Sequence, residues 1–153
     1  TFYTDIADLP DFEDYSMANR TYRYFTGKPL YPFGYGLSYT NYAVIRADES
    51  GNEIKAEVIN NGSYAGDALV QVYVACDSPF APLHPRLCGF GKISLQPGET
   101  KTVSITLDPL TNTVVNEQGE RIAVEHYTLY AGLGQPDQEQ SAAGNSSTVI
   151  IHR

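Results

Sequence analysis

The sequence predicts an all-β protein folded as an antiparallel β-sandwich. Short apolar stretches alternate with polar residues at intervals of two, which is the period of a half-buried strand. Turn signals separate these stretches at regular spacing along the chain, as is typical of sandwiches. Among the 153 residues, 12 Tyr, 13 Gly and 9 Pro suit strands that are joined by many turns.

The strand signal begins at Leu37 and predicts about seven or eight strands. The stretches that carry it are LSYTNYAVIRAD, IKAEVINN, ALVQVYVAC, LCGFGKISL, TKTVSITLD, HYTLYAGLG and SSTVIIHR. The turn signals between them include ESGNE, NGSYAGD, QPGE and NEQGE. In the second stretch Ile54, Ala56 and Val58 alternate with charged residues, which predicts one buried face. The third stretch is apolar on both faces, so we expect it to be a central strand.

Residues 1–36 lack a sustained period of either kind. They carry an acidic patch and scattered aromatics, and the only strand signal lies near Phe2–Tyr3. We therefore expect two parts, an irregular extension over 1–36 and the sandwich over 37–153. The acidic residues Asp5, Asp8, Asp11, Glu13 and Asp14 are interpreted as a solvated loop, because no apolar wall is evident to raise a carboxyl pKa for acid catalysis.

Charge and composition argue against several kinds of partner. The net charge of −8 opposes contact with nucleic acid or anionic lipid, and no apolar run reaches the length of a membrane span. The start, TFYTDIADLP, has neither the basic residues nor the apolar stretch of a signal peptide. It also lacks an initiator Met, which suggests an internal piece or a processed product, so no compartment is assigned.

No metal site or cofactor is predicted. His84, His126 and His152 are scattered, and the two cysteines form no CxxC pair. Cys76 ends one predicted strand and Cys88 begins the next. If these strands pair antiparallel, the two residues face each other across the base of a loop. A disulfide and two reduced thiols both remain open.

Three blocks of the sequence resemble glycoside hydrolase family 3, the β-glucosidases and β-xylosidases. They are NRTYRYFTGKPLYPFGYGLSYTNY, VINNGSYAGDALVQVYV and LCGFGKISLQPGETKTVSITLD, in the family's order. The segment before them looks like the end of the family's α/β sandwich domain. The resemblance covers essentially the whole chain. It implies that 37–153 is the C-terminal fibronectin type III-like domain, an immunoglobulin-like sandwich.

The aromatic segment at the end of residues 1–36 is interpreted as a strap that packs between domains. Pro favours extended backbone before it, Gly34 and Gly36 permit sharp turns, and aromatics bury large areas. Arg23 is expected to pair with a carboxylate or to stack on Tyr22 or Tyr24. The residues assigned to interdomain packing are Tyr22, Arg23, Tyr24, Phe25, Tyr31, Phe33 and Tyr35. We expect the aromatics among them to form an exposed apolar patch or a site of self-association.

The family's retaining mechanism needs a carboxylate nucleophile and an acid/base. The nucleophile lies in a Ser-Asp context in the family's barrel, the acid/base lies in its α/β sandwich domain, and the chain has no Ser-Asp dipeptide. No catalytic residue is therefore assigned, and the chain alone is predicted to be inactive. Its predicted role is structural, in contact with the parent's barrel and α/β sandwich domains. The loop Asp77–Arg86 is the candidate to reach the edge of the carbohydrate cleft.

Two other functions remain as alternatives. The first is a freestanding carbohydrate-binding module, because Tyr rings stack on sugar rings and many such modules are β-sandwiches. The second is a subunit that requires a separately encoded barrel and α/β sandwich. An exposed flat row of tyrosines would favour the first, and tight association with a chain that carries the barrel would favour the second.

Overall fold

The computed structural model describes residues 3–136 and 149–153, and strands dominate these ranges. A 3-10 turn at Ile6–Asp8 and a one-turn helix, α1, at Thr21–Tyr24 precede the first strand. The strands are β1 Tyr42–Ser50, β2 Glu53–Asn60, β3 Gly66–Cys76, β4 Arg86–Leu95, β5 Thr100–Thr106, β6 Thr113–Val115, β7 Arg121–Ala123, β8 Tyr127–Gly132 and β9 Val149–His152. No helix in the described ranges is long and apolar enough to cross a membrane.

The strands form two sheets that pack against each other, so the predicted all-β sandwich is confirmed. One sheet has the order β1-β2-β5 and the other has the order β4-β3-β8-β9. Every neighbouring pair is antiparallel. The short strands β6 and β7 pair separately as a hairpin. Strand β3 lies between β4 and β8, which confirms the prediction that it is central.

The core lies between the two sheets and follows the predicted alternation. Strand β2 buries Ile54, Ala56 and Val58, and β3 buries Val70, Val72 and Val74. Strand β5 contributes Val103 and Ile105, and β8 contributes Leu129 and Ala131. Burial of each Val, Leu or Ile side chain stabilises a fold by roughly 1.5–3 kcal/mol. The period of two in the sequence therefore identifies most of the core.

Strand β1 differs from the prediction at both ends. It begins at Tyr42 instead of Leu37, because Thr40 turns its hydroxyl to Asn60 and residues 37–41 join no sheet. It continues to Ser50, so the predicted five-residue turn shrinks to Gly51 and Asn52. Gly51 has φ +64, a left-handed conformation that glycine adopts at no steric cost.

The hairpin of β6 and β7 was not predicted. Each strand has only three residues, which is too short for a period of two to be read with assurance. The segment DPLTNT, which is long enough for one helical turn, forms a pair of hydrogen-bonded turns instead. Tyr3 lies in no strand, and Phe2 lies outside the described residues. The polar stretch before β9 falls mostly outside them too.

Candidate interdomain surface

The aromatic strap, residues 22–35, is anchored on the outer face of the four-stranded sheet. Gln71 and Tyr73 point away from the core of the sandwich, yet both are buried. The Gln71 side chain donates through Nε2 to the Gly34 carbonyl oxygen at 3.1 Å. The Tyr73 hydroxyl donates to Gln71 Oε1 at 2.6 Å. An outward-facing pair on β3 thus holds the backbone of the strap.

Gly34 is required at this anchor for two reasons. Its φ of +77 lies in the left-handed region, which side chains disfavour. A Cβ atom at this position would also clash with the Gln71 side-chain amide, which would have to move away from the Gly34 carbonyl oxygen. The glycine lets the strap approach β3 closely enough for the hydrogen bond to form.

The other end of the strap is fixed near the loop Asp77–Arg86. His84 donates from Nε2 to the Phe25 carbonyl oxygen at 2.7 Å. The Phe25 ring is buried and meets the Tyr3 ring edge-on, with centroids 5.3 Å apart and planes at 88°. Helix α1 lies immediately before this contact, in a segment for which no helix was predicted.

The strap aromatics pack mainly on one another. Tyr22 and Phe33 are stacked, with centroids 4.2 Å apart and planes at 14°. Tyr31 and Tyr35 lie 5.1 Å apart and are tilted by 47°. Phe25 is buried and Tyr31 is exposed, while the remaining four aromatics are half-buried. The six aromatics therefore do not form the exposed patch that was expected of them as a set.

Large exposed apolar side chains lie on either side of the strap instead. On the N-terminal side Phe12 is 91% exposed and Tyr15 is 90% exposed. On the other side Leu37 is 81% exposed and Tyr39 is 97% exposed. We call these four residues the flanking apolar surface. Within each pair the two residues are at most three positions apart in the chain, and grouped exposed apolar side chains are typical of surfaces that contact another protein.

The acidic residues before the strap shape their own loop. Asp11 Oδ1 accepts from the Glu13 amide at 2.9 Å, and Asp14 Oδ1 accepts from the Ser16 amide at 2.8 Å. Hydrogen bonds from Ser16 lower the pKa of Asp14 below its usual value. A lowered pKa favours the ionised form, which is the opposite of what an acid catalyst needs.

Arg23 lies over the ring of Tyr24, with its guanidinium carbon 5.8 Å from the ring centroid. This is the stacking alternative of the two that the sequence suggested. No carboxylate pairs with Arg23 among the described residues. Its Nε atom is buried and has no hydrogen-bond acceptor in the described ranges.

Asn60 joins several segments at one end of the sandwich. Its Oδ1 accepts from the Thr40 hydroxyl at 2.7 Å and from the Gly62 amide at 3.1 Å. Its Nδ2 donates to the carbonyl oxygens of Tyr64 at 2.7 Å and Leu95 at 3.3 Å. The side chain is fully buried and thus connects the segment just before β1 to the β2–β3 turn and the end of β4.

Cys76 and Cys88 are both free thiols in the structure. The register of β3 and β4 places Cys88 beside Val72 and Tyr73, three to four residues from Cys76 along the strand. At about 3.3 Å per residue this offset is roughly 10 Å, which is beyond the Cα separation that a disulfide spans. The two residues therefore do not face each other across the loop, as the disulfide alternative required.

Stability is expected to fall between about pH 9 and pH 12 because of Cys88. Burial raises the pKa of the Cys88 thiol to about 12. In this range the unfolded thiol ionises while the folded thiol keeps its proton, so rising pH favours unfolding by up to about 1.4 kcal/mol per unit. Urea unfolding at pH 7, 9, 10 and 11 measures the loss.

The variant Cys88→Ala is the comparison for this pH series. We expect its stability to fall less steeply above pH 9, with no difference in slope below pH 8. Burial also raises the pKa of Cys76, which is less buried, so Cys76→Ala should change the slope less. If stability falls with pH equally steeply in the wild type and in Cys88→Ala, the loss of stability above pH 9 does not come from the Cys88 thiol.

Comparison with known proteins places this fold in a family. The fibronectin type III-like domain model matches residues 68–135. A xylan 1,4-β-xylosidase of Xylanibacter ruminicola is 38% identical over 91% of this chain. The thermostable β-glucosidase B of Acetivibrio thermocellus is 41% identical over 86% of it. The chain carries the fibronectin type III-like domain of glycoside hydrolase family 3.

A solved structure supports the assignment of this fibronectin type III-like domain. The β-glucosidase of Kluyveromyces marxianus, solved in complex with glucose, matches 86% of this chain with a TM-score of 0.64 and 31% identity. The match takes up 16% of that chain. This chain likewise spans only 17% of the Xylanibacter relative and 20% of the Acetivibrio relative. In these relatives the domain is one part of a much longer polypeptide.

The residues that hold the strap were not predicted from the sequence as functional. Gln71 and Tyr73 belong to one of the blocks that carry the family resemblance, and they were interpreted only as the second face of a central strand. The sequence did contain a signal for a covered outer face of β3, because a polar Gln and a large Tyr lie two residues apart on that face. Leu37 and Tyr39 were assigned to a strand and were missed for that reason.

Proposed function

We propose that this chain is the C-terminal packing domain of a longer retaining β-glycosidase. Residues 1–36 would be the end of the preceding domain together with the strap, and residues 37–153 the sandwich. The strap and the flanking apolar surface would contact the α/β sandwich domain and stabilise the assembly. The loop Asp77–Arg86 would extend toward the carbohydrate cleft of the parent enzyme, which hydrolyses β-glucosides or β-xylosides.

One observation carries the proposal: the strap is fixed on the sandwich, yet large apolar side chains next to it in the chain are exposed. Gln71 and His84 hold the strap at two points, so its position is set by the sandwich. Phe12, Tyr15 and Tyr39 nevertheless stay almost fully exposed on either side of it. Burying them against another domain would stabilise the assembly by roughly 1.5–3 kcal/mol for each side chain.

The alternative of a freestanding sugar-binding module receives less support. Tyr31 and Tyr35 are tilted by 47° relative to each other, so they present no shared flat face to a sugar ring. Tyr22 uses one face of its ring to stack on Phe33. We also propose that the isolated chain self-associates through the strap and the flanking apolar surface.

The test uses the polypeptide of the complete reading frame beside this chain. We expect the complete polypeptide to hydrolyse a chromogenic β-glucoside or β-xyloside and this chain alone to hydrolyse neither. The double variant Leu37→Ser/Tyr39→Ser should lower the thermal midpoint of the complete polypeptide by a few °C, because it removes apolar contacts between domains. It should leave the midpoint of this chain nearly unchanged, since both side chains are exposed there.

Tyr64→Ser serves as the matched control, because Tyr64 is an exposed tyrosine outside the flanking apolar surface. We expect it to change neither midpoint. Turnover by this chain alone would contradict its assignment as a non-catalytic domain. An equal effect of the double variant in both polypeptides would contradict the proposed interdomain contact.

A further inference from the structure

A cleft of about 450 Å³ opens between helix α1, the loop Asp77–Arg86 and the hairpin of β6 and β7. Arg23, Arg86 and Arg121 all lie in its walls. The whole protein has six arginines, so half of them line this one cleft. The aromatic rings of Tyr24 and Phe80 line the same cleft.

The charge in this cleft is uncompensated among the described residues. The protein carries 18 acidic residues and a net charge of −8, yet no Asp or Glu lines the cleft. By contrast, Arg46 pairs with Asp48 at 2.7 Å and Arg153 pairs with Glu49. None of the three cleft arginines forms an ion pair within the described ranges.

Local contacts hold the three guanidinium groups in place. Arg86 donates through Nη2 to the carbonyl oxygens of Leu110 at 2.8 Å and Thr111 at 3.0 Å. Arg121 donates through Nη1 to the Thr113 hydroxyl at 3.0 Å. Arg23 is held over the Tyr24 ring. Each guanidinium has five N–H donors, so most donors of the three groups have no hydrogen-bond acceptor among the described residues.

We propose that this cleft is a carboxylate-binding site. A guanidinium offers parallel N–H donors in a planar fork that matches the two oxygens of a carboxylate. The carbon skeleton that carries the carboxylate would pack on Tyr24 and Phe80, a contact that inorganic phosphate has no carbon atoms to make. The carboxylate would belong either to a sugar acid or to an acidic side chain of another protein domain. The inference depends on this cleft alone and not on the interdomain role of the strap.

NMR titration of the ¹⁵N-labelled chain with two matched pairs of ligands tests the site. One pair is D-glucuronate and D-glucose, and the other is N-acetylglutamate methylamide and N-acetylglutamine methylamide. Ionic strength is kept constant with NaCl, because salt screens exposed charges. We expect both acids to shift amides of α1, the loop Asp77–Arg86 and β7. Each acid should bind about tenfold more tightly than its neutral partner, since charged hydrogen bonds are the stronger kind.

Variants separate the cleft from general attraction to arginine. Arg121→Gln should weaken the binding of both acids about fivefold or more, because it removes one charged donor group from the cleft. Arg23→Gln should also weaken the binding of both acids. It replaces Arg121→Gln as the test variant if the NMR spectra show that Arg121→Gln disturbs the fold. Arg46→Gln, outside the cleft, should leave binding unchanged.

The results also distinguish the source of the carboxylate. Similar affinity for the two acids would support a carboxylate site that accepts a protein side chain. Much tighter binding of glucuronate would support a site for sugar acids. Acids that bind no better than their neutral partners would overturn the proposal, as would binding that the cleft variants do not weaken. A site that binds inorganic phosphate but neither acid would overturn it too.

Discussion

Replacement of Asn60 with alanine is expected to lower the free energy of unfolding by about 3 kcal/mol, a large effect for a single substitution. The side chain is fully buried and takes part in four hydrogen bonds. Alanine would leave the Thr40 hydroxyl and the Gly62 amide without this acceptor. It would also deprive two buried or partly buried carbonyl oxygens of a donor. Burying polar groups without partners costs about 1–3 kcal/mol each, although relaxation and entering water reduce the sum.

Urea unfolding followed by circular dichroism measures the effect of Asn60→Ala. Asn61→Ala is the matched control, because the adjacent Asn is exposed and its backbone amide, which alanine keeps, donates to the Asn41 carbonyl oxygen at 3.0 Å. We expect the control to stay within about 0.5 kcal/mol of the wild type. Equal stability of the two variants would show that Asn60 does not connect these segments as described.

Replacement of Gln71 with alanine is expected to release the strap and to cost about 2 kcal/mol of stability. The Gly34 carbonyl would lose its donor at 3.1 Å, and the Tyr73 hydroxyl would lose the acceptor at 2.6 Å. Because the strap is held on the sheet at this point, the Tyr35 amide, which donates to the Pro32 carbonyl oxygen at 3.1 Å, should exchange its hydrogen faster in the variant. The order in which the core strands exchange their amide hydrogens should not change, since Gln71 lies on the opposite face of β3 from the core.

Hydrogen exchange of residues 30–36 and urea unfolding together test the role of Gln71. Ile45→Ala is the control, since Ile45 lies on β1 in the other sheet and is about half-exposed. It should leave strap exchange unchanged. A Gln71→Ala variant whose strap exchanges as slowly as in the wild type would show that the strap is held by other contacts.

The sandwich was predictable because its strands obey a simple period. Ile54, Ala56 and Val58 alternate with charged residues, and the structure buries all three. The hairpin of β6 and β7 gave no comparable signal, because three residues are too few to show alternation. Strand β1 was extended wrongly toward Leu37, because aromatic and β-branched residues favour strands only where a neighbouring strand is available to pair.

The sequence predicted that the strap is a packed segment but not which of its residues are covered. Clustered aromatics with Gly and Pro predicted a packed segment, and the strap does pack on the sheet. The sequence does not reveal which rings pair with each other, so it did not show that Tyr22 covers Phe33 while Tyr39 stays exposed. The arginine cleft was beyond sequence analysis, because Arg23, Arg86 and Arg121 come from three separate segments that only the fold brings together.

Hydrogen exchange of the complete polypeptide, compared with this chain alone, tests the central claim most directly. The account predicts that amides of residues 5–17 and 22–40 exchange much more slowly in the complete polypeptide, because another domain covers the strap and its flanks. The inner strands β2, β3 and β5 should exchange alike in both. Equal exchange of residues 5–17 and 22–40 in the two proteins would contradict the proposal that this domain packs on its neighbour through the strap.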